Sequence, residues 1–245
     1  MNELFAPGYS TDNGWDFRKF GDNYVGTLRR QLRGAIKGGT FTVDLAHDLL
    51  TSGFAVVTGD VRWQRHGTSI DCEGTLEPPD TVPVRCRYTG SISYHFPTHG
   101  KGQMRVTTSG LRVTVEGFDP ADGSTTWSHR LGALTSLVDD GSRSIIASER
   151  EALIRTPGRP TIVNLANGAT RPVAAGETFW CSYTQSFTQT PQLGVEKVGY
   201  LTRICDANGK PATTLPRSVP ALVSTPGPGG LRLVSTAAAV VAYRG

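Results

Sequence analysis

The chain has 245 residues, among them 29 glycines and 15 prolines, well above the combined share of roughly 12% usual in proteins. Only 38% of residues are hydrophobic, and 25 basic residues stand against 21 acidic ones for a net charge of +4. Such dense punctuation excludes a coiled coil, a long-helix bundle and a doubly wound sheet with long buried strands. So small a charge excess leaves no footprint for nucleic acid.

From the N-terminus, the first twenty residues carry Asp12, Trp15 and Asp16 and lack the apolar stretch of a signal peptide. No run reaches the ~18 apolar residues of a membrane span. Tyr24, Leu28, Leu32 and Ile36 recur every fourth residue, with Arg29, Arg30, Arg33 and Lys37 between them. That spacing predicts a short basic helix ended by Gly38-Gly39, and a second short helix over Asp44 to Leu50. Residues 1–50 are therefore expected to form an N-terminal extension, and 51–245 the main domain. The basic face is expected to be solvated, with peripheral contact to an anionic membrane through Arg29, Arg30 and Arg33 as the sharper alternative.

From Phe54 onward the pattern becomes β. Short runs such as Phe54 to Thr58, Leu111 to Glu116, Ser144 to Ala147, Ala152 to Arg155, Thr161 to Val163 and Ala238 to Tyr243 are rich in Val, Ile, Thr and Tyr. Gly, Pro, Asp and Asn turns separate them, the pattern of a sandwich, barrel or propeller. Cys72 and Cys86 bracket the turn Glu77-Pro78-Pro79-Asp80, and Cys181 and Cys205 bracket a looser polar stretch. If each interval is a hairpin, each pair lies opposite across two strands and within disulfide reach. Two disulfides imply an oxidising compartment, an extracytoplasmic or cell-envelope site reached by an export signal or anchor removed or lying elsewhere. Four free thiols in the cytoplasm are the alternative. No Cys-x-x-Cys spacing suggests zinc, and His95 and His99 are separated by Pro97, which favours a polar loop over a metal site. Nucleophile elbow, phosphate loop, zinc-protease and dinucleotide-binding motifs are all missing. Pro226 to Gly230 reads as a loop. The 20 arginines against 5 lysines hint at a GC-rich bacterial genome.

One tripeptide recurs. Ala121-Asp122-Gly123, Ala166-Asn167-Gly168 and Ala207-Asn208-Gly209 each follow an apolar strand, at intervals of 45 and 41 residues. Asp-Gly and Asn-Gly suit the positive φ of tight hairpins. The segment Gly117-Phe118-Asp119-Pro120-Ala121-Asp122-Gly123-Ser124-Thr125-Thr126-Trp127 resembles the repeat of pyrroloquinoline-quinone-type β-propellers, with weaker copies at Val163 to Gly168 and Ile204 to Gly209 over residues 110–245. The resemblance implies an all-β, propeller-like array of four-stranded antiparallel blades, its ring complete or incomplete, preceded by the helical N-terminal region. It makes Asp119, Asp122, Gly123, Asn167, Gly168, Asn208 and Gly209 structural turn residues, and Trp127, with Trp63 and Trp180 in strand-like contexts, inter-blade packing. The resemblance implies, in cofactor-using members, a vicinal cysteine pair, a catalytic Asp and metal-binding carboxylates; this chain has no adjacent cysteines, and Asp119, Asp122 and Asp206 sit in turns where backbone hydrogen bonding accounts for them, so no cofactor, metal or catalytic residue is expected. The function expected is a non-catalytic binding or scaffold domain of a bacterial cell-envelope protein, recognising a protein partner through propeller loop surfaces. An envelope oxidoreductase or hydrolase with carboxylates in a central funnel is the alternative.

Overall fold

The computed structural model describes residues 9–10, 17–30, 39–72, 81–96, 105–133, 144–154, 160–188, 196–220, 223–236 and 239–244. Two compact units emerge. The first comprises Met1–Cys72, Asp80–Leu137 and Ala166–Gly168; the second comprises Glu73–Pro79, Val138–Leu165 and Ala169–Gly245.

In the first unit the elements are β1 (Tyr9–Ser10), β2 (Phe17–Phe20), β3 (Asn23–Arg30), β4 (Thr40–Asp44), α1 (Leu45–Asp48), β5 (Leu49–Ala55), β6 (Val61–His66), β7 (Thr68–Ser69), β8 (Val84–His95), β9 (Arg105–Phe118) and β10 (Thr125–Ala133). They form two antiparallel sheets. One runs β1-β3-β5-β6 with β2 also on β3, the other β10-β9-β8-β4 with β7 also on β8.

Strand β3 carries buried residues on both faces. Val25, fully buried, joins Trp63, Ile70 and Phe118 in one cluster. Leu28 faces its cross-strand partner Leu50 on the other side, each 1% exposed, a burial that stabilises by about 1.5–3 kcal/mol per side chain. Hydroxyls tie β7 to the first sheet: Thr68 Oγ1 donates to Thr51 Oγ1 at 2.8 Å, and the Ile70 amide donates to Thr27 Oγ1 at 2.9 Å. Helix α1 is a single turn. Its N-cap Asp44 accepts from the Ala46 amide while Asp48 accepts from the Asp44 amide, so two otherwise orphaned donors are satisfied.

The β8–β9 hairpin bends where the register shifts between Thr89 and Ser91. There Gly90 (φ 91°) crosses Gly110 (φ 61°) so closely that a Cβ on Gly90 would lie 2.5 Å from the Gly110 carbonyl. This is a glycine bulge, which turns the outer half of the sheet away from the inner half.

The second unit holds β11 (Ser144–Ile146), β12 (Glu151–Ile154), β13 (Thr161–Asn164), β14 (Thr170–Pro172), β15 (Phe179–Thr188), β16 (Glu196–Cys205), β17 (Thr225–Pro226), β18 (Leu231–Ser235) and β19 (Val240–Arg244). They pair as three three-stranded sheets, β11-β15-β16, β12-β13-β14 and β17-β18-β19. Ile145, Leu153, Ile162, Phe179 and Ala207 pack around Cys181 and Cys205.

Three expectations are corrected. Among the described residues no sheet closes into a ring, and the sheets are not a series of four-stranded blades. A blade is a meander of consecutive strands; here β3 skips to β5 and β4 reaches β8, while three sheets have only three strands. The recurring turn reports a tight local reversal, which any antiparallel sheet uses. Residues 23–30 form a strand, not the start of a basic helix, and it pairs with β5 as an integral member of its sheet. Of the predicted second helix, only Leu45–Asp48 is helical, and Leu49–Leu50 already belong to β5. Among the described residues no helix is long and apolar enough to cross a membrane.

Candidate functional site

The four cysteines form two disulfides, Cys72–Cys86 and Cys181–Cys205, with Cα atoms 5.2 and 5.9 Å apart. All four are buried, none more than 2% exposed. The pairing is the one read from the sequence, but neither pair sits opposite across a hairpin. Cys205 faces Phe179 and Cys181 faces Arg203, so that bond runs diagonally between β15 and β16. Cys86 faces Ser69, and Cys72 lies three residues beyond the end of that short pairing.

The turn residues are held by their own backbone. Asp119 Oδ1 accepts from the Ala121 amide at 2.8 Å and Asp122 Oδ1 from the Ser124 amide at 2.7 Å. The latter bond holds the Asp122 carboxyl below its ordinary pKa. Asp206 Oδ1 accepts from the Asn208 and Lys210 amides. Gly123, Gly168 and Gly209 all have φ between 70° and 77°.

With no blades to pack between, the tryptophans take other partners. Trp63 lies between Gly53 and Gly123 and donates from Nε1 to the Pro120 carbonyl at 2.9 Å. Trp127 lies between Gly117 and Gly168. Trp180, fully buried, donates to the Ser218 carbonyl at 3.0 Å and meets Tyr243 edge-on at 5.8 Å.

Two clusters pair arginines with glutamates, one buried and one half-exposed. Arg85, fully buried against the Phe118 ring, donates from Nε to Glu116 Oε2 at 2.9 Å, and Arg87 adds two further bonds to the same carboxylate. Burial alone would raise the Glu116 pKa, but the two guanidiniums outweigh it and hold the carboxyl below its usual value. In the second unit Arg171 bridges Glu151 and Glu177, and its bonds to Glu177 lower that carboxyl too. A general acid or base at neutral pH needs a pKa drawn toward 7; Glu116 and Glu177 are displaced the other way. Among the described residues no three His, Cys, Asp or Glu side chains are placed to hold a metal ion.

Of the basic residues considered for membrane contact, Arg29 and Arg30 are on β3, with Arg30 Nη1 3.7 Å from Asp48 Oδ1, and Arg33 lies outside the described residues. The helix that was to display them is replaced by strand at 29 and 30. His99 also lies outside the described residues. His95 is on β8, its ring nitrogens 2.9 Å from Thr40 Oγ1 and from Thr107 Oγ1. Pro226 belongs to β17 and Pro228–Gly230 to a short 3-10 turn.

What sequence reading missed is the outer end of the β4–β8–β9 sheet, beyond the Gly90–Gly110 crossing. Register places Thr40, His95 and Arg105 in one row of its polar face, and Thr42, Ser93 and Thr107 in the next. Thr42 and Ser93 are joined through their hydroxyls at 2.8 Å. The opposite face carries Phe41, Tyr94 and Val106 in one row, with Val43 and Ile92 beneath. The Phe41 and Tyr94 rings are 6.1 Å apart, and Val106 is 48% exposed. Ile92 is buried, so this apolar row continues the core outward to solvent. The signal was present: Thr40-Phe-Thr-Val-Asp44 and Ser91-Ile-Ser-Tyr-His95 alternate strictly with period two.

The propeller surfaces and central funnel on which the expected functions depended do not exist in this topology, so the loop-surface binding and funnel-enzyme readings both fall. The likeness to quinoprotein-type repeats ends with the turn itself. In comparisons with known proteins, no family model and no curated protein matches the chain.

Proposed function

We propose that this chain is an extracytoplasmic recognition module of the cell envelope, which binds a protein partner through the outer end of the β4–β8–β9 sheet. The observation that carries the reading is the row Phe41–Tyr94–Val106, an apolar extension of the core left at solvent and backed by a polar face. Interfaces favour such a pattern, an aromatic and aliphatic centre within a hydrogen-bonding rim. Two buried disulfides suit an oxidising compartment, and the Arg-locked carboxylates are poorly placed to do acid–base work.

The test is a photo-crosslinking residue at position 106, introduced into the full chain and exposed to an envelope extract. A discrete adduct at 106, absent when the same group replaces Leu215 (51% exposed, in the second unit), is the expected result. Equal labelling from both positions, or an adduct unchanged when Phe41→Asp is added, refutes the assignment. Recovery of the protein from a cytoplasmic fraction with all four thiols free refutes the compartment.

A further inference from the structure

The inner half of the β8–β9–β10 sheet gathers positive charge on one face. Register sets three rows there: Arg85, Glu116 and Ser128; then Arg87, Thr114 and Arg130; then Thr89 and Arg112. Four arginines thus share these rows with one carboxylate. Burial falls along them, from Arg85 and Glu116 in the interior, through half-buried Arg87 and Thr114, to exposed Thr89, Arg112 and Arg130. Direct cross-strand neighbours stand roughly 5 Å apart and successive rows about 7 Å apart. The side chains of Arg87, Arg112 and Arg130 are long enough to meet above Thr114.

Glu116 serves the interior. Its Oε2 accepts from Arg85 Nε at 2.9 Å, and both of its oxygens accept from Arg87. The buried charge is still under-compensated. Arg85 Nη1 is buried without a hydrogen-bond partner. Burial, with Arg87 and Arg65 nearby, draws the Arg85 guanidinium below its ordinary pKa in spite of Glu116. Elsewhere in the chain Arg18, Arg30, Arg171 and Arg232 each have a carboxylate oxygen between 2.8 and 3.7 Å away. Arg112 and Arg130 have no such partner among the described residues and make no side-chain hydrogen bond there. Like charges on neighbouring strands destabilise a sheet, and an anion held between them reverses the sign of that term.

We infer that the face over Thr114 is a binding site for a tetrahedral oxyanion, the phosphate or sulfate group of an ester. Arg112 and Arg130 offer guanidinium forks that match the oxygens of such a group. Thr114 adds a hydroxyl donor, and Arg87 adds its charge. One fork already satisfies a planar carboxylate, whereas a group with three or four oxygens can engage several at once. The site lies inward of the Gly90–Gly110 crossing and stands whether or not the outer sheet end binds a partner.

The experiment uses the full, isotopically labelled chain with both disulfides intact, at constant ionic strength. Inorganic phosphate is exchanged for chloride while the arginine Nε–H signals and the Thr114 amide are followed. Saturable shifts at Arg112, Arg130 and Thr114, with Arg105 unmoved on the outer sheet end, are the expected result. Arg112→Gln and Arg130→Gln each weaken phosphate binding by roughly tenfold, the loss of about one charge-assisted hydrogen bond. Neither side chain holds a structural bond, so the rest of the spectrum is unchanged. Arg105→Gln, which removes another exposed arginine, leaves the affinity as it was. Competition by inorganic sulfate at the same signals supports the site. Tighter binding of linear polyphosphate makes a polymer the source of the group, and equal binding makes it a small ester. Shifts that rise without saturating, that persist in the Arg112→Gln/Arg130→Gln double variant, or that acetate reproduces at equal affinity overturn the inference.

Discussion

Replacing Glu116 by Gln tests whether the charge cluster in the first unit is a structural keystone. Glu116 is 5% exposed and answers two arginines, one of them fully buried. The substitution preserves shape but removes the negative charge, and it turns an amide donor toward guanidinium groups that are themselves donors. Breaking a buried ion pair on one side costs about 3–5 kcal/mol, because the remaining charge stays desolvated. Against a total of roughly 5–15 kcal/mol for a native domain, that is a large fraction. The assay is urea unfolding at pH 7 with the disulfides intact, followed by circular dichroism and tryptophan fluorescence. A pH series adds a signature. The folded carboxyl is held below its ordinary pKa, so its contribution is complete above the unfolded value of about 4.3. It is lost as pH falls through the lower folded value. The gap between native and E116Q protein is therefore widest near neutrality and narrows below about pH 4.3. A gap under about 1 kcal/mol at pH 7, or one that does not narrow in acid, refutes the reasoning.

Removing the Cys181–Cys205 bond with paired alanines, which frees a separation of 24 residues, lowers stability by roughly 3.5 kcal/mol in the chain-entropy account; a denaturation midpoint unchanged from the oxidised protein contradicts this. Gly123→Ala places a methyl group into the Trp63 indole at positive φ and costs about 2–4 kcal/mol. The matched Gly132→Ala, at φ 84° with open space, costs only about 1–2 kcal/mol, and equal losses in thermal melts would show that the indole contact is immaterial. Burial raises the pKa of the Tyr243 phenol. Alkaline ultraviolet titration therefore shows a late-ionising tyrosine, above the usual value of about 10, which Tyr243→Phe removes.

The β character and the short strands were legible because each is encoded locally, in β-branched runs and in turn residues; the cysteine partners came out as read, although the hairpin placement from which they were read does not hold. The helix over 24–36 was misread for a definite reason. A spacing of four residues is close to one helical turn and also a multiple of the strand period, so Tyr24 and Leu28 share a face in either state. The discriminating residues lay between them. Val25 and Thr27 are β-branched, and Val25 is buried on the face opposite Leu28, which a strand inside a packed unit permits and a solvated helix face does not. Sheet order failed for a different cause. The Ala-[Asp/Asn]-Gly turn specifies how two neighbouring strands reverse, whereas the pairing of β4 with β8 brings together residues some fifty positions apart and leaves no local mark. The Arg85–Glu116 pair was equally hidden, since nothing near either residue announces that a charge will be buried.

The crossing of Gly90 over Gly110 sets the bearing of the outer sheet end without lending it any chemistry. Neither residue has a side chain, so neither contributes to what Phe41, Tyr94 and Val106 would touch; together they fix only the direction in which that row points. Under the proposed function, direction and contact are carried by separate positions in the chain. Substitutions on the exposed row would then change what the surface touches without touching the joint, and a substitution at Gly90, where a Cβ would lie 2.5 Å from the Gly110 carbonyl, would disturb the joint without changing the row's chemistry.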